Sequence, residues 1–227
     1  MTALDTHNYF SDPRDAAFVD LVQKGDVARV EAALKAGQDV NANGSKGFRP
    51  IHFVFAAPSA DVAKVLLAAG ADPNARLANG NEPLHYAVQQ KTADFTATFL
   101  QYKADPNARG DSKQPVLFTA LDSPIPEQVL PLLVRAGADI NLVWGGNTPV
   151  QSAMVGLTWK AAATLLSLGA DPAVRNPHGE DAGMVFCSLL ERLKPTPTNH
   201  QAVWAVGSAL KSRGASLICD DKLSQFR

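Results

Sequence analysis

Five histidines, His7, His52, His85, His178 and His200, and five aspartates, Asp39, Asp72, Asp105, Asp139 and Asp171, are the residues whose chemistry first invites a catalytic or metal-binding reading. Imidazole moves protons near neutral pH, and imidazole with thiolate or carboxylate holds zinc. None of the histidines has a second ligand at metal-binding spacing, so no metal ligands are expected. The aspartates are separated by 33, 33, 34 and 32 residues. On stacked helical layers about 10 Å apart they are too distant to share a proton, and they read as loop-stabilising groups. No Gly-rich phosphate cradle and no strained serine elbow is present. Gly145-Gly146, Asn43-Gly44 and Asn79-Gly80 read as turns. Cys187 follows Val185-Phe186 in an apolar run and reads as a core thiol, while Cys219 has no base beside it in sequence. The expected catalytic residues and cofactors are none, and the chain is not expected to be an enzyme.

What positions these residues follows from composition and pattern. The chain has 227 residues, 21 Lys+Arg and 22 Asp+Glu, and is 46% hydrophobic and 7% aromatic. A net charge of −1 disfavours a dedicated nucleic-acid binder. Apolar content dominated by Ala, Leu and Val leans helical. Two cysteines are too few for a disulfide scaffold. No apolar run is long enough for a membrane span, and residues 1–14 lack the apolar region of a secretory signal. A cytoplasmic setting without membrane attachment is the resulting expectation.

Two strings recur in register. Gly37-Gln38-Asp39-Val40-Asn41, Gly70-Ala71-Asp72-Pro73-Asn74, Lys103-Ala104-Asp105-Pro106-Asn107, Gly137-Ala138-Asp139-Ile140-Asn141 and Gly169-Ala170-Asp171-Pro172-Ala173 form one series. Arg49-Pro50-Ile51-His52, Glu82-Pro83-Leu84-His85, Gln114-Pro115-Val116-Leu117 and Thr148-Pro149-Val150-Gln151 form the other. Proline suits the first turn of a helix, where its missing N–H is not needed. A second helix follows, as in Val62, Val65, Leu66 and Ala69. Gly70 stands where that helix must stop, and Asp-x-Asn is turn chemistry. Each unit reads helix, turn, helix, hairpin loop.

These strings resemble the ankyrin repeat, whose unit of about 33 residues carries Thr-Pro-Leu-His and closes on Gly-Ala-Asp-Val-Asn. The resemblance implies an all-α solenoid of stacked helix-turn-helix units with hairpin loops. It covers residues 15–217 as a single domain of six units: 15–42, 43–75, 76–108, 109–142, 143–174 and 175–217. Residues 1–14 are a leading segment and 218–227 a tail, of which Asp220 to Arg227 should fray. The last unit is irregular, with 194–199 as an enlarged loop. The resemblance gives His52 and His85 a structural role, hydrogen-bonding backbone to tie units together. Lys103 replaces a helix-ending Gly at a cost of about 1–2 kcal/mol if the left-handed backbone is kept. The capping Thr survives only at Thr148, with Arg49, Glu82 and Gln114 in its place.

In this family partners generally dock on hairpin tips and first-helix surfaces. Carried over position by position, the hairpin candidates are Lys46, Phe48, Arg76, Asn81, Arg109, Asp111, Gln114, Trp144 and Asn147. First-helix candidates are Ala56, Gln89, Gln90, Leu121, Asp122 and Val155. Arg76, Arg109 and Arg175 share one loop position, with Lys46 and Lys113 near it. They read either as a solvated face or as a basic strip for an acidic partner. Phe48 and Trp144 read either as interface anchors or as packing between hairpins. The function implied is a non-catalytic protein-binding module, an adaptor or scaffold. A stoichiometric inhibitor or immunity protein is the alternative. Nucleic-acid binding through the arginine row is a weaker one, and no small-molecule substrate is expected.

Overall fold

The structure, a computed structural model, describes residues 5–197 and 199–227. Residues 1–4 of the leading segment and Thr198 of the expected enlarged loop lie outside the described residues. Among those described there are helices, two isolated β-bridges and no strand. The chain divides into two compact units, 1–119 and 120–227.

In the first unit, α1 (Pro13–Lys24) begins on Asp12, whose carboxylate accepts the Arg14 N–H, and stops at left-handed Gly25. α2 (Val27–Lys35) starts from Asp26 in the same way. A 3₁₀ helix (Pro50–Ala56) pairs with α3 (Asp61–Ala68), and α4 (Pro83–Ala87) pairs with α5 (Asp94–Gln101). α6 (Val116–Thr119) follows. First helices pack on first helices, α1 on the 3₁₀ helix, that on α4, and α4 on α6. Second helices do likewise, α2 on α3 and α3 on α5. Each buries one apolar stripe, with Ile51, Val54, Leu66, Leu84 and Phe99 wholly enclosed. Phe95 and Phe99, bulky for a second helix, find room against Phe55 at 5.4 and 5.6 Å between ring centroids.

The second unit contains a 3₁₀ turn (Ala120–Asp122), α7 (Pro126–Arg135), α8 (Pro149–Val155), α9 (Trp159–Ser167), α10 (Ala182–Leu190), α11 (His200–Ser212) and α12 (Asp220–Leu223). α7, α9 and α11 form one layer, and α8 packs on α10 in the other.

The first helix of the second repeat is a 3₁₀ helix throughout Pro50–Ala56. Two sequence expectations are corrected. Cys187 is not a free core thiol: it forms a disulfide with Cys219. The tail does not fray: α12 and a 3₁₀ turn (Ser224–Phe226) bury Leu223 and Phe226. The fourth repeat departs from its neighbours in its hairpin. Each of the second, third and fourth hairpins closes with a backbone bond across five residues, Gly44 to Phe48, Leu77 to Asn81 and Gly110 to Gln114. Arg49 and Glu82 then separate the closing residue from the helix-opening proline, whereas Gln114 runs straight into Pro115. The residue missing from the fourth repeat is therefore the one that stands at the cap position in its neighbours.

Candidate protein-binding surface

A binding surface here is whatever the repeats expose after meeting their own hydrogen-bonding needs. Those needs are met by a few side chains. The Arg49 N–H donates to His52 Nδ1 at 3.0 Å, and His52 Nε2 lies 2.9 Å from the carbonyl of Ala75, the last residue of its repeat, where the next begins. The Glu82 N–H donates to His85 Nδ1 at 3.2 Å, with Nε2 facing the Gln114 carbonyl at 3.4 Å. Nδ1 accepts, so the proton sits on Nε2 and the ring is neutral. Burial drives both pKa values below the ordinary imidazole range.

The recurrent aspartates are equally occupied. Asp39, Asp72, Asp105 and Asp139 each accept the N–H two residues on, from Asn41, Asn74, Asn107 and Asn141. Asn41 donates to the Gly70 carbonyl and accepts from the Asp72 N–H, and Asn74 repeats the pattern with Lys103 and Asp105. These carboxylates close turns, and the adjacent asparagines stitch one repeat to the next. No group of three or more His, Cys, Asp or Glu could hold a metal ion among the described residues.

In the first unit the hairpins hold each other. The Lys46 carbonyl accepts the Ala78 N–H at 2.9 Å, and Asn81 Oδ1 accepts the Asp111 N–H at 2.8 Å. The side chains of Lys46 and Asp111 are exposed, as is Gln89, whose amide donates to the Thr119 carbonyl. Gln90 is half-buried and donates back to the Tyr86 carbonyl. Gln114 is half-buried and contributes its backbone to His85. Phe48 is not an isolated tip residue. Its ring lies 4.5 Å from Tyr9 and 5.4 Å from Phe53, in an aromatic cluster that seats the leading segment.

The arginines at the shared loop position are exposed but anchored inside their own hairpins. Arg76 pairs with Glu82, Arg109 donates to the Lys113 carbonyl at 3.4 Å, and Arg175 donates to the Gly179 carbonyl at 2.6 Å. The Arg76 charge is offset by its partner. Glu82 is buried, and desolvation pushes its pKa up against the pull of Arg76.

In the second unit Trp144 and Asn147 exchange backbone hydrogen bonds at 3.0 and 3.2 Å, closing the hairpin, and both side chains are half-buried. Leu121, unlike the other first-helix candidates, is buried, and it lines the groove that Asp122 borders. Asp122 is exposed and borders a groove of about 430 Å³ with Pro124, Leu157, Trp159, Lys160 and Ala202. Leu157, 52% exposed beside equally exposed Val155, was not singled out from sequence. Its signal is weak, a lone leucine after Gly156 in a short break. In the first unit a comparable groove of about 460 Å³ runs between Pro58, Gln89, Gln90, Lys91 and Phe95.

Residues 18–110 match the family model for ankyrin repeats, in three copies. Residues 18–110 carry ankyrin repeats. No curated protein matches the chain. The matched segment holds the first three repeats and the His52 bridge, and the His85 bridge reaches Gln114 just beyond it. The fifth repeat keeps the bond pattern with a different residue. Gln151 Oε1 accepts the Thr148 N–H at 2.9 Å and its amide donates to the Glu180 carbonyl at 2.8 Å. Ankyrin repeats generally serve protein–protein interaction. No helix among the described residues is long and apolar enough to cross a membrane.

Proposed function

We propose that this chain is a non-catalytic module that binds another protein through its hairpin tips and first-helix surfaces, as an adaptor or scaffold. One observation carries the reading. His52, His85 and the recurrent aspartates are consumed in holding turns and repeats together, while Lys46, Arg76, Arg109, Asp111, Asp122 and Arg175 stand exposed at hairpin or first-helix positions. Residues that neither fill the core nor bridge repeats are free to be chosen for a partner. The arginines add a preference for an acidic surface, weakened at Arg76 by Glu82.

The test is affinity capture with the immobilised chain, run beside two variants, Trp144→Ala and the triple Arg76→Glu, Arg109→Glu, Arg175→Glu. The expected result is one protein retained by the unaltered chain and lost by a variant of unchanged Tm. Retention that is indifferent to both variants and to salt, or turnover of a small molecule, overturns the reading.

A further inference from the structure

The second unit carries a covalent feature that protein binding does not use. Cys187 lies on α10 and Cys219 immediately precedes α12, 32 residues apart in sequence with Cα atoms 5.4 Å apart. The bridge lines an open groove of about 370 Å³ with Met184, Glu191, Ile218 and Lys222. Its rim mixes exposed Met184 and Ile218 with Ser188, Glu191, Asp221 and Lys222, and the two cysteines lie at its floor, 5% and 9% exposed.

What the bridge holds is a strap, residues 220–227. Leu223 and Phe226 are buried, and Leu223 rests on Gly207 of α11 so closely that a Cβ there would lie 2.6 Å from its Cδ2. The other attachments are weak in water. Lys211 pairs with Asp220 on the surface, and the Arg227 guanidinium sits 5.7 Å from the Trp204 ring centroid. Without the covalent link, two apolar side chains and these two weak contacts are left to hold residues 220–227.

We propose that Cys187–Cys219 is a thiol–disulfide exchange site that fastens the strap in oxidising surroundings and releases it on reduction. A reductant thiolate attacks one Sγ, forming a mixed disulfide and expelling the other sulfur as a thiolate. A second reductant thiol then displaces the first sulfur. The reductant leaves as its own disulfide, and both cysteines end protonated. A small-molecule disulfide such as oxidised glutathione drives the reverse. Such bridges persist in oxidising surroundings and open where thiols are kept reduced.

The experiment compares the full chain in oxidised glutathione and in dithiothreitol. The oxidised form should carry no alkylatable thiol and weigh about 2 Da less than the reduced form. Reduction should lower Tm by about 5–10 °C. It should also speed amide exchange in residues 220–227 while leaving residues 13–101 unchanged. A Cys187→Ala, Cys219→Ala variant should show the fast exchange in both conditions and ignore the reductant. Reductant titration of the unaltered chain makes the comparison without any substitution. Thiols that stay alkylatable in oxidised glutathione overturn the proposal. So does identical strap exchange and Tm in the two redox states.

Discussion

Gln151 reaches across to Glu180 as His52 reaches across to Ala75. In each case one side-chain atom accepts the N–H three residues back and a second faces a distant carbonyl at or beyond the end of its own repeat, at 2.8 Å for Gln151 and 2.9 Å for His52. The bridge needs an acceptor and a donor at fixed separation, which a carboxamide supplies as well as a neutral imidazole does. The difference is that glutamine does not titrate.

That difference makes stability depend on pH through His52 and His85. Burial lowers both folded-state pKa values, so in the window below the unfolded value near 6.5 the unfolded chain holds more protons. The contribution is complete above that value and is lost as pH falls through the folded values. Urea unfolding at pH 7.5 and 5.5 should show this acid loss. A His52→Gln, His85→Gln variant should keep stability at pH 7.5 and lose less of it at pH 5.5. An unchanged pH slope in the variant would refute the assignment.

Lys103 adopts φ 70 where Gly70, Gly137 and Gly169 close the equivalent helices at 92, 100 and 108. Lys103→Gly should stabilise the chain by about 1 kcal/mol, the left-handed strain removed less the entropy of glycine. Leu157, at φ 58 and half exposed, should behave the same way. A denaturant midpoint that fails to rise in both variants contradicts the strain argument.

Glu82 stands where the fifth repeat has its capping Thr148. Its Oε2 is buried with no hydrogen-bond partner among the described residues, and Oε1 is held by Arg76. Its folded pKa is raised, so its contribution is most favourable below the carboxylate range and declines as pH rises through the folded value. Glu82→Thr should gain about 1 kcal/mol at neutral pH by restoring the cap and relieving a buried charge. A loss of similar size in chemical denaturation would mean the Arg76 pair outweighs both effects.

Phe48 should act through packing rather than as a free anchor. With its ring against Tyr9 and Phe53, Phe48→Ala should cost about 2–3 kcal/mol, the loss of a half-buried aromatic in a cluster. Thermal unfolding read beside binding checks it: impaired binding at an unchanged Tm would restore Phe48 to the interface.

The repeat was legible in sequence because its signals are local. A proline that opens a helix, a glycine or Lys103 that closes it, and an aspartate that ties its own turn each act within a few residues. The same locality explains what was missed. Gln151 does the work of a histidine it does not resemble in a string comparison. Leu223 and Phe226 look like scattered apolar residues until Gly207 provides a seat for them. The Cys187–Cys219 bridge depends on α11 returning the chain over α10, which no spacing rule specifies. Among the candidate site residues, exposure at Lys46, Asp111 and Asp122 followed from position in the repeat. The burial of Leu121 depended on how its own turn packs.

The most direct measurement is amide exchange on the complex with whichever protein is captured. Protection concentrated in the hairpin segments 43–48, 76–82, 109–114 and 144–147 and in the first helices is the predicted footprint. Protection confined to the second helices α2, α3, α5, α7, α9 and α11, with the hairpins exchanging as in the free chain, would contradict the account.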